Sequence, residues 1–469
     1  MQKRNSRKYF RIRLDEMIVT LREEIVSGKY AVGGFLPSES DLEVRFQLSN
    51  NSVRKGLDTL VAEGLIEKIA RVGNRVKSPR PEHGTILKFG YVRATAELAG
   101  MDKLLKAFHE LYPHIQVQPV ELPQSSYSRA LKEYMEADMV DVAMLNNNNF
   151  QDFEEGEQTV LLEPLEKNDE LYPFATAPFL QGDSTLVQPF ILSPVVLCYN
   201  KEHFRESGVP EPDSSWTWRD LFRYGKQLAV LGERFGFYFY LPSRNRWPIF
   251  MLQSGETIEA DDKGEYHLAA SKAVDGLEIC RELLEMKDVF PVLLSESDAD
   301  AEALFLEGKV SVIMTTYFFL NQLKDAGISF DVSPLPGLNN NRTLLIVNGL
   351  AVNSRTRHKE AAKLLVRFLT SYESQLLVRQ HTLNITAHRR AMEWQGEEFV
   401  YRPFRFFMYR EIIPTFRLIK EMGLSNNQLK EMQRDTMLFL SGLQDRETLC
   451  RKLELLLPEA SKGKLVDLL

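Results

Sequence analysis

Apolar residues recur at helical spacing near the front of the chain, at Leu14, Met17, Ile18, Leu21 and Ile25, and predict an amphipathic helix that Gly28 ends. A second helix begins in Pro37-Ser38-Glu39-Ser40-Asp41. Ser38 caps it, Asp41 completes a capping box three residues on, and Leu42 and Phe46 supply its buried face. Ser49 caps a third helix, in which Val53, Leu57, Leu60 and Val61 make an apolar stripe opposite Asn50, Asn51, Ser52, Arg54 and Lys55. Glu63-Gly64-Leu65-Ile66 closes that helix, and residues 67–76 read as two short strands around Val72-Gly73-Asn74.

Past Ser78-Pro79-Arg80-Pro81-Glu82-His83-Gly84, a stretch poor in apolar residues and unfriendly to helix, the pattern changes. Strand candidates at 86–92, 115–120, 140–145, 195–199, 310–314 and 344–352 are interspersed with helical patterns such as 101–111. This order predicts an α/β unit with a largely parallel sheet. The expected organisation is a front module over 1–77, a linker over 78–85 and an α/β body over 86–469.

Charge sharpens the division. Residues 1–80 hold 16 Lys and Arg against 10 Asp and Glu, a net of +6, while the remainder holds 42 against 55, a net of −13. A basic front on an acidic body fits a phosphate-contacting head on a body that avoids nucleic acid. No run of about 18 uncharged apolar residues marks a membrane span, and the basic first 13 residues lead into no apolar segment of the kind a secretory signal needs. The expectation is a cytoplasmic protein with no membrane partner. Cys198, Cys280 and Cys450 are too widely spaced for a CxxC pair, so neither a disulfide framework nor a metal site is expected. Walker, Gly-x-Gly-x-x-Gly, His-Glu-x-x-His and Gly-x-Ser-x-Gly signatures are missing. The chain therefore reads as a non-enzyme without catalytic residues or cofactors.

The front module has the order of a winged helix-turn-helix: two capped helices joined by a short turn, then a hairpin. Short polar side chains on the first turn of its last helix reach base edges in the major groove, and Arg or Lys one turn on reaches guanine or phosphate. The expected DNA contacts are Ser38, Ser40, Ser49, Asn50, Asn51, Ser52, Arg54 and Lys55, with Arg71, Gly73 and Arg75 in the wing. Gly28-Lys29-Tyr30, Leu36-Pro37-Ser38-Glu39, Leu42 with Phe46, Ser52-Val53-Arg54 and Glu63-Gly64-Leu65-Ile66 together resemble the GntR family of bacterial winged-helix regulators. The resemblance implies a homodimer on double-stranded operator DNA. Two departures stand out: Asn50 replaces the family's arginine after the capping serine, and Ala70-Arg71-Val72-Gly73 replaces its Gln-Gly-x-Gly wing tip. Asn favours adenine where Arg favours guanine, so a different operator is expected.

The body resembles the extracellular solute-binding proteins of sugar-importing ABC transporters. The similarity runs through Phe108 to Val117, Asp141-Val142, Leu162-Glu163-Pro164-Leu165, Tyr199-Asn200-Lys201, Gly208-Val209-Pro210, Trp216-Thr217-Trp218, Phe305 to Lys309 and Ser333 to Gly337. It implies a two-lobed periplasmic-binding-protein-like fold of type 2 that clamps a carbohydrate effector between its lobes. By position, the ligand-binding candidates are Arg93, Asn146, Asn147, Trp247, Tyr317 and Asn348. The reading is a transcription regulator whose cleft closure alters operator binding. The alternative is the solute-binding component of a sugar transporter with a vestigial head.

Overall fold

The computed structural model describes residues 13–14, 16–22, 24–25, 29–62, 64–69, 72–77, 84–291, 295–396 and 399–461. Arg71 and most of the expected linker, 78–83, lie outside these residues.

In the head, α1 (residues 16–22) packs across α2 (Glu39–Phe46) and α3 (Asn50–Ala62). The capping box forms as the spacing predicts: Ser38 accepts from the Asp41 amide and Asp41 accepts from the Ser38 amide. Gln47 ends α2 in the left-handed region, at φ 51°, which turns the chain into α3. Met17, Leu21, Leu42, Val53, Leu57 and Leu60 are fully buried together. α1 crosses α3 at Gly56, where a β-carbon would fall 2.1 Å from Met17 Cε. The wing is an antiparallel hairpin of β1 (Ile66–Ile69) and β2 (Gly73–Val76), in register from Ile66↔Val76 to Ile69↔Gly73. Phe35 bridges to Arg75 on its outer edge.

Among the described residues the body is built on a ten-stranded sheet. Strand β3 (Thr85–Tyr91) lies parallel to β4 (Ile115–Glu121) on one side and β5 (Val142–Asn146) on the other. Helix α4 (Arg93–Leu98) follows β3, and α5 (Met101–Leu111) covers the face of the sheet where Leu87 and Phe89 pack against Leu104 and Phe108. Helix α6 (Tyr127–Glu136) leads into β5, and α7 (Asn147–Glu155) follows directly.

Strand β6 (Gln188–Asn200) carries the chain into a second unit. There it is flanked by β8 (Val310–Thr316) and β9 (Phe330–Ser333), both antiparallel to it, while β7 (Phe235–Tyr238) lies parallel to β8. Strand β10 (Thr343–Val352) returns, pairing with β6 at Leu345↔Pro194 and with β5 at Asn348↔Asn146. Two strands thus cross between two α/β units. All six expected strand segments and the helix at 101–111 are present and the α/β class holds, but the expectation of a largely parallel sheet is corrected. The sheet is mixed, because the crossing strands β6 and β10 pair antiparallel with each other, β10 with β5, and β6 with β8 and β9. The expected strand at 195–199 is the latter half of a 13-residue element.

In the second unit α8 (Trp218–Leu228) begins in a capping box from Thr217 to Asp220 and buries Trp218, Leu221 and Phe222. It lies so close to β7 that a β-carbon on Gly236 would sit 2.0 Å from the Gly225 carbonyl oxygen. A C-terminal hairpin of α9 (Asn426–Leu440) and α10 (Arg446–Ser461) packs on this unit through Leu429, Met432, Phe439 and Leu453. No helix among the described residues is long and apolar enough to cross a membrane.

Candidate DNA-reading helix and solute cleft

The cap and first two turns of α3 present Ser49, Asn51, Arg54 and Lys55 to solvent, with Asn50 half-buried. Two of these side chains are held by acids from α2. The Arg54 Nε donates to Glu39 at 2.8 Å, and the Asn50 amide nitrogen donates to Glu43 at 2.5 Å and to Glu39 at 3.5 Å. Arg75 donates through Nε to Glu67 across the wing at 2.7 Å. Ser40 and Gly73 are exposed. Ser38 is exposed too, but its hydroxyl is engaged with Asp41 at 2.7 Å in the cap.

Ser52 departs from expectation. It is 3% exposed and its hydroxyl pairs with that of Ser49 at 2.7 Å, so it faces the head's core rather than the groove-reading surface. Behind the helix, Glu24 accepts from Arg45 and Lys29, each at 2.5 Å. The hydrogen bond from Arg45 is the main reason its carboxyl falls to about 2, with Lys29 adding to it against the opposing effect of burial.

In the body, parallel strands β3, β4 and β5 end at one edge of the sheet, the edge where open α/β sheets bind ligands. Arg93 just beyond β3 pairs with Glu121 at the end of β4, its Nε 2.9 Å from the carboxylate, and both side chains are well exposed. The hydrogen bond between them raises the Arg93 pKa and lowers that of Glu121. Asn146, at the end of β5, caps α7 in a reciprocal box with Asn149. Asn147 is 7% exposed, and its side-chain oxygen accepts from the Val347 amide at 2.8 Å. That bond lies one residue before a register shift in β10 at Asn348/Gly349. Asn348 itself is buried in the sheet, opposite Asn146.

In the second unit the loop over 239–247 follows β7. Buried Arg246 pins it: Nε donates to the Met314 carbonyl at 3.0 Å, and the guanidinium lies 3.3 Å from Asp298. Glu302 is half-buried beside this cluster and accepts from Thr315 at 2.7 Å. Burial pushes its carboxyl up to about 7, against the lowering effects of Thr315 and Arg246. Asn245 at the loop's tip accepts from the Asn148 side chain at 3.4 Å, a contact between the two units. Asn426, at the start of the C-terminal hairpin, reinforces the junction by donating to the Asn148 carbonyl at 2.6 Å and to Asp152 at 2.8 Å.

The six candidate ligand residues therefore separate. Asn146, Asn147 and Asn348 come together at the β5–β10 junction, and Arg93 lies on the same sheet edge. Trp247 and Tyr317 are 0% exposed, so their expected place as ligand-binding residues is corrected: both rings are packed in the core. The Tyr317 hydroxyl donates to the Phe406 carbonyl at 2.9 Å, and its ring meets those of Phe406 and Tyr409 edge-on. Sequence reasoning passed over Glu121, Asn148 and Asn245 as site residues. Glu121 was detectable from its place at the end of an alternating strand, and Asn148 and Asn245 only from tertiary contact. Among the described residues, Asp261, Glu265 and His267 have metal-ligand proximity, but they form an exposed turn in which Asp261 accepts from two backbone amides and from His267.

Two α/β units joined by crossing strands and touching at Asn148–Asn245 define a two-lobed solute-binding protein that here carries a winged-helix head. The chain belongs to the bacterial extracellular solute-binding protein family, whose profile matches residues 94–376, and residues 15–76 match the bacterial regulatory proteins of the gntR family. Both are binding and regulatory kinds rather than enzymatic ones. A binding protein of Brucella abortus (strain 2308) is 24% identical over 235 residues, covering 45% of this chain and 54% of that protein. The galactonate operon transcriptional repressor of Escherichia coli (strain K12) is 42% identical over 53 residues, covering 11% of this chain and 23% of the repressor. The chain thus spans about half the length, or less, of these curated relatives.

Among solved structures, an ABC substrate-binding protein from Listeria monocytogenes in complex with cycloalternan aligns with a TM-score of 0.66 and 20% identity, over 81% of this chain and 99% of that one. Maltose-bound MalE3 of T. maritima aligns at 0.68 and 18%, over 81% and 100%. At these identities the likeness shows the fold.

Proposed function

We propose that this protein is a DNA-binding transcription regulator that senses a carbohydrate between the two units of its body and couples closure to operator binding. Residues 1–77 act as the reader and 86–469 as the sensor, in a cytoplasmic homodimer. The observation that carries the reading is the union in one chain of a DNA-reading head with a body of two α/β units that crossing strands join and that meet at contacts such as Asn148–Asn245. Such a body has two states for a ligand to choose between. The bound maltose in one solved relative of the fold supports a sugar as ligand. Arg93, Glu121, Asn146, Asn148 and Asn245 supply the planar amides and charges that pair with hydroxyls.

The reader face is made of Ser49, Asn50, Asn51, Arg54 and Lys55, with Arg71, Gly73 and Arg75 from the wing. A thermal-shift screen of the full chain against mono- and oligosaccharides, amino acids and sugar phosphates tests the sensor half. A ligand at a hundred times its Kd adds about 2.7 kcal/mol of stability. A shift with sugars alone is the expected result, and a shift with amino acids alone would replace the carbohydrate with another ligand class.

A further inference from the structure

Asn at the start of a recognition helix ordinarily reads adenine at two points, its amide N–H donating to N7 and its carbonyl accepting from N6. That requires both ends of the amide to be free. In this head the donor end is occupied: the Asn50 amide nitrogen faces the carboxylates of Glu43 at 2.5 Å and Glu39 at 3.5 Å. The opposite orientation would set the amide oxygen against two carboxylates, so electrostatics fixes which end points outward. Glu39 is itself held by Arg54 Nε at 2.8 Å, which keeps the acid in place and leaves the terminal guanidinium nitrogens of Arg54 for guanine or phosphate.

We propose that Glu43 is a positioning residue that makes Asn50 a one-sided reader, presenting only its carbonyl oxygen to the major groove. Such a group selects bases that offer an amino donor there, cytosine through N4 or adenine through N6, and rejects guanine and thymine, which offer acceptors. The inference rests on the reading of the head as a DNA reader and replaces a simple adenine preference with a shared preference for adenine and cytosine.

The test is selection from a randomised duplex library by the full chain, read base by base, for the wild type and for Asn50→Ala, Glu43→Ala and Glu43→Gln. Asn50→Ala locates the position, because the preference there disappears. At that position the wild type enriches adenine and cytosine together over guanine and thymine by roughly tenfold, the size of one good base contact. Glu43→Ala releases the amide N–H and shifts the preference to adenine over cytosine by a similar factor. Glu43→Gln keeps the wild-type pattern, since its side-chain carbonyl accepts the same hydrogen bond.

Enrichment of guanine or thymine by the wild type, no position that depends on Asn50, or an unchanged pattern in Glu43→Ala would each overturn the inference while leaving DNA binding in place. Failure of the wild type to retain any duplex would remove the DNA-reading function as well.

Discussion

Four consecutive asparagines, 146–149, end β5 and begin α7, and the structure divides neighbouring members of the run between two jobs. Asn147 is buried and satisfies the Val347 amide at 2.8 Å; half-exposed Asn148 accepts from the Asn147 side chain at 3.0 Å and donates to Asn245 at 3.4 Å, while its backbone carbonyl carries the bond from Asn426. Asn147→Ala strands a buried amide on a crossing strand, which costs about 1–3 kcal/mol. For a body of roughly 380 residues the unfolding entropy is about 0.8 kcal/mol per kelvin, so a loss of ~2 kcal/mol lowers Tm by roughly 2–3 °C. Asn148→Ala removes two part-buried side-chain contacts but strands no backbone amide, and a loss of ~0.5 kcal/mol on the same scale lowers Tm by about 0.6 °C. Differential scanning calorimetry of both variants at one scan rate reads the contrast. Equal Tm losses, or a larger loss in Asn148→Ala, would refute the assignment of Asn147 as structural and Asn148 as the surface contact between units.

Three further outcomes follow from the packing and the charges. Glu302 has its carboxyl raised to about 7, so the folded state holds a proton that the unfolded chain releases near its ordinary value of 4.5; stability falls as pH rises through that window, and urea titrations should show Glu302→Gln more stable than wild type at pH 8 and close to it at pH 4. Glu24 is lowered to about 2, so its stabilisation is present above 4.5 and is lost as pH falls towards 2. Arg45→Met flattens that loss, as acid titration of the head's circular dichroism reports. Gly236→Ala drives a methyl into the Gly225 carbonyl, and the resulting clash should destabilise by at least about 1–3 kcal/mol in denaturant melts.

Local chemistry was what the sequence could reveal. The cap at Ser38, the apolar stripe of α3 and the six strand segments depend on neighbours a few residues apart, and each appears where the pattern places it. Strand β6 was seen only in its latter half because Pro189 and Pro194 interrupt its earlier half. Pro189 is accommodated where β10 shifts register, a property of the partner strand. Ser52 looked like a groove-facing residue by its order in the motif, yet it lies one turn before Gly56, on the side of α3 that α1 crosses. Trp247 and Tyr317 sit at strand or loop ends that suggest a ligand, but Tyr317 is enclosed by Phe406 and Tyr409 from about 90 residues away, and no local pattern announces that.

The central claim is that ligand in the body changes DNA binding by the head. The most direct measurement is the affinity of the full chain for its selected operator, by fluorescence anisotropy at fixed salt, with and without a carbohydrate that shifts its melting temperature. The account predicts a change of about 5–150-fold in Kd, in either direction, with the same factor appearing in the ligand's affinity when operator is present. An operator Kd that is identical with the body saturated and empty would contradict it.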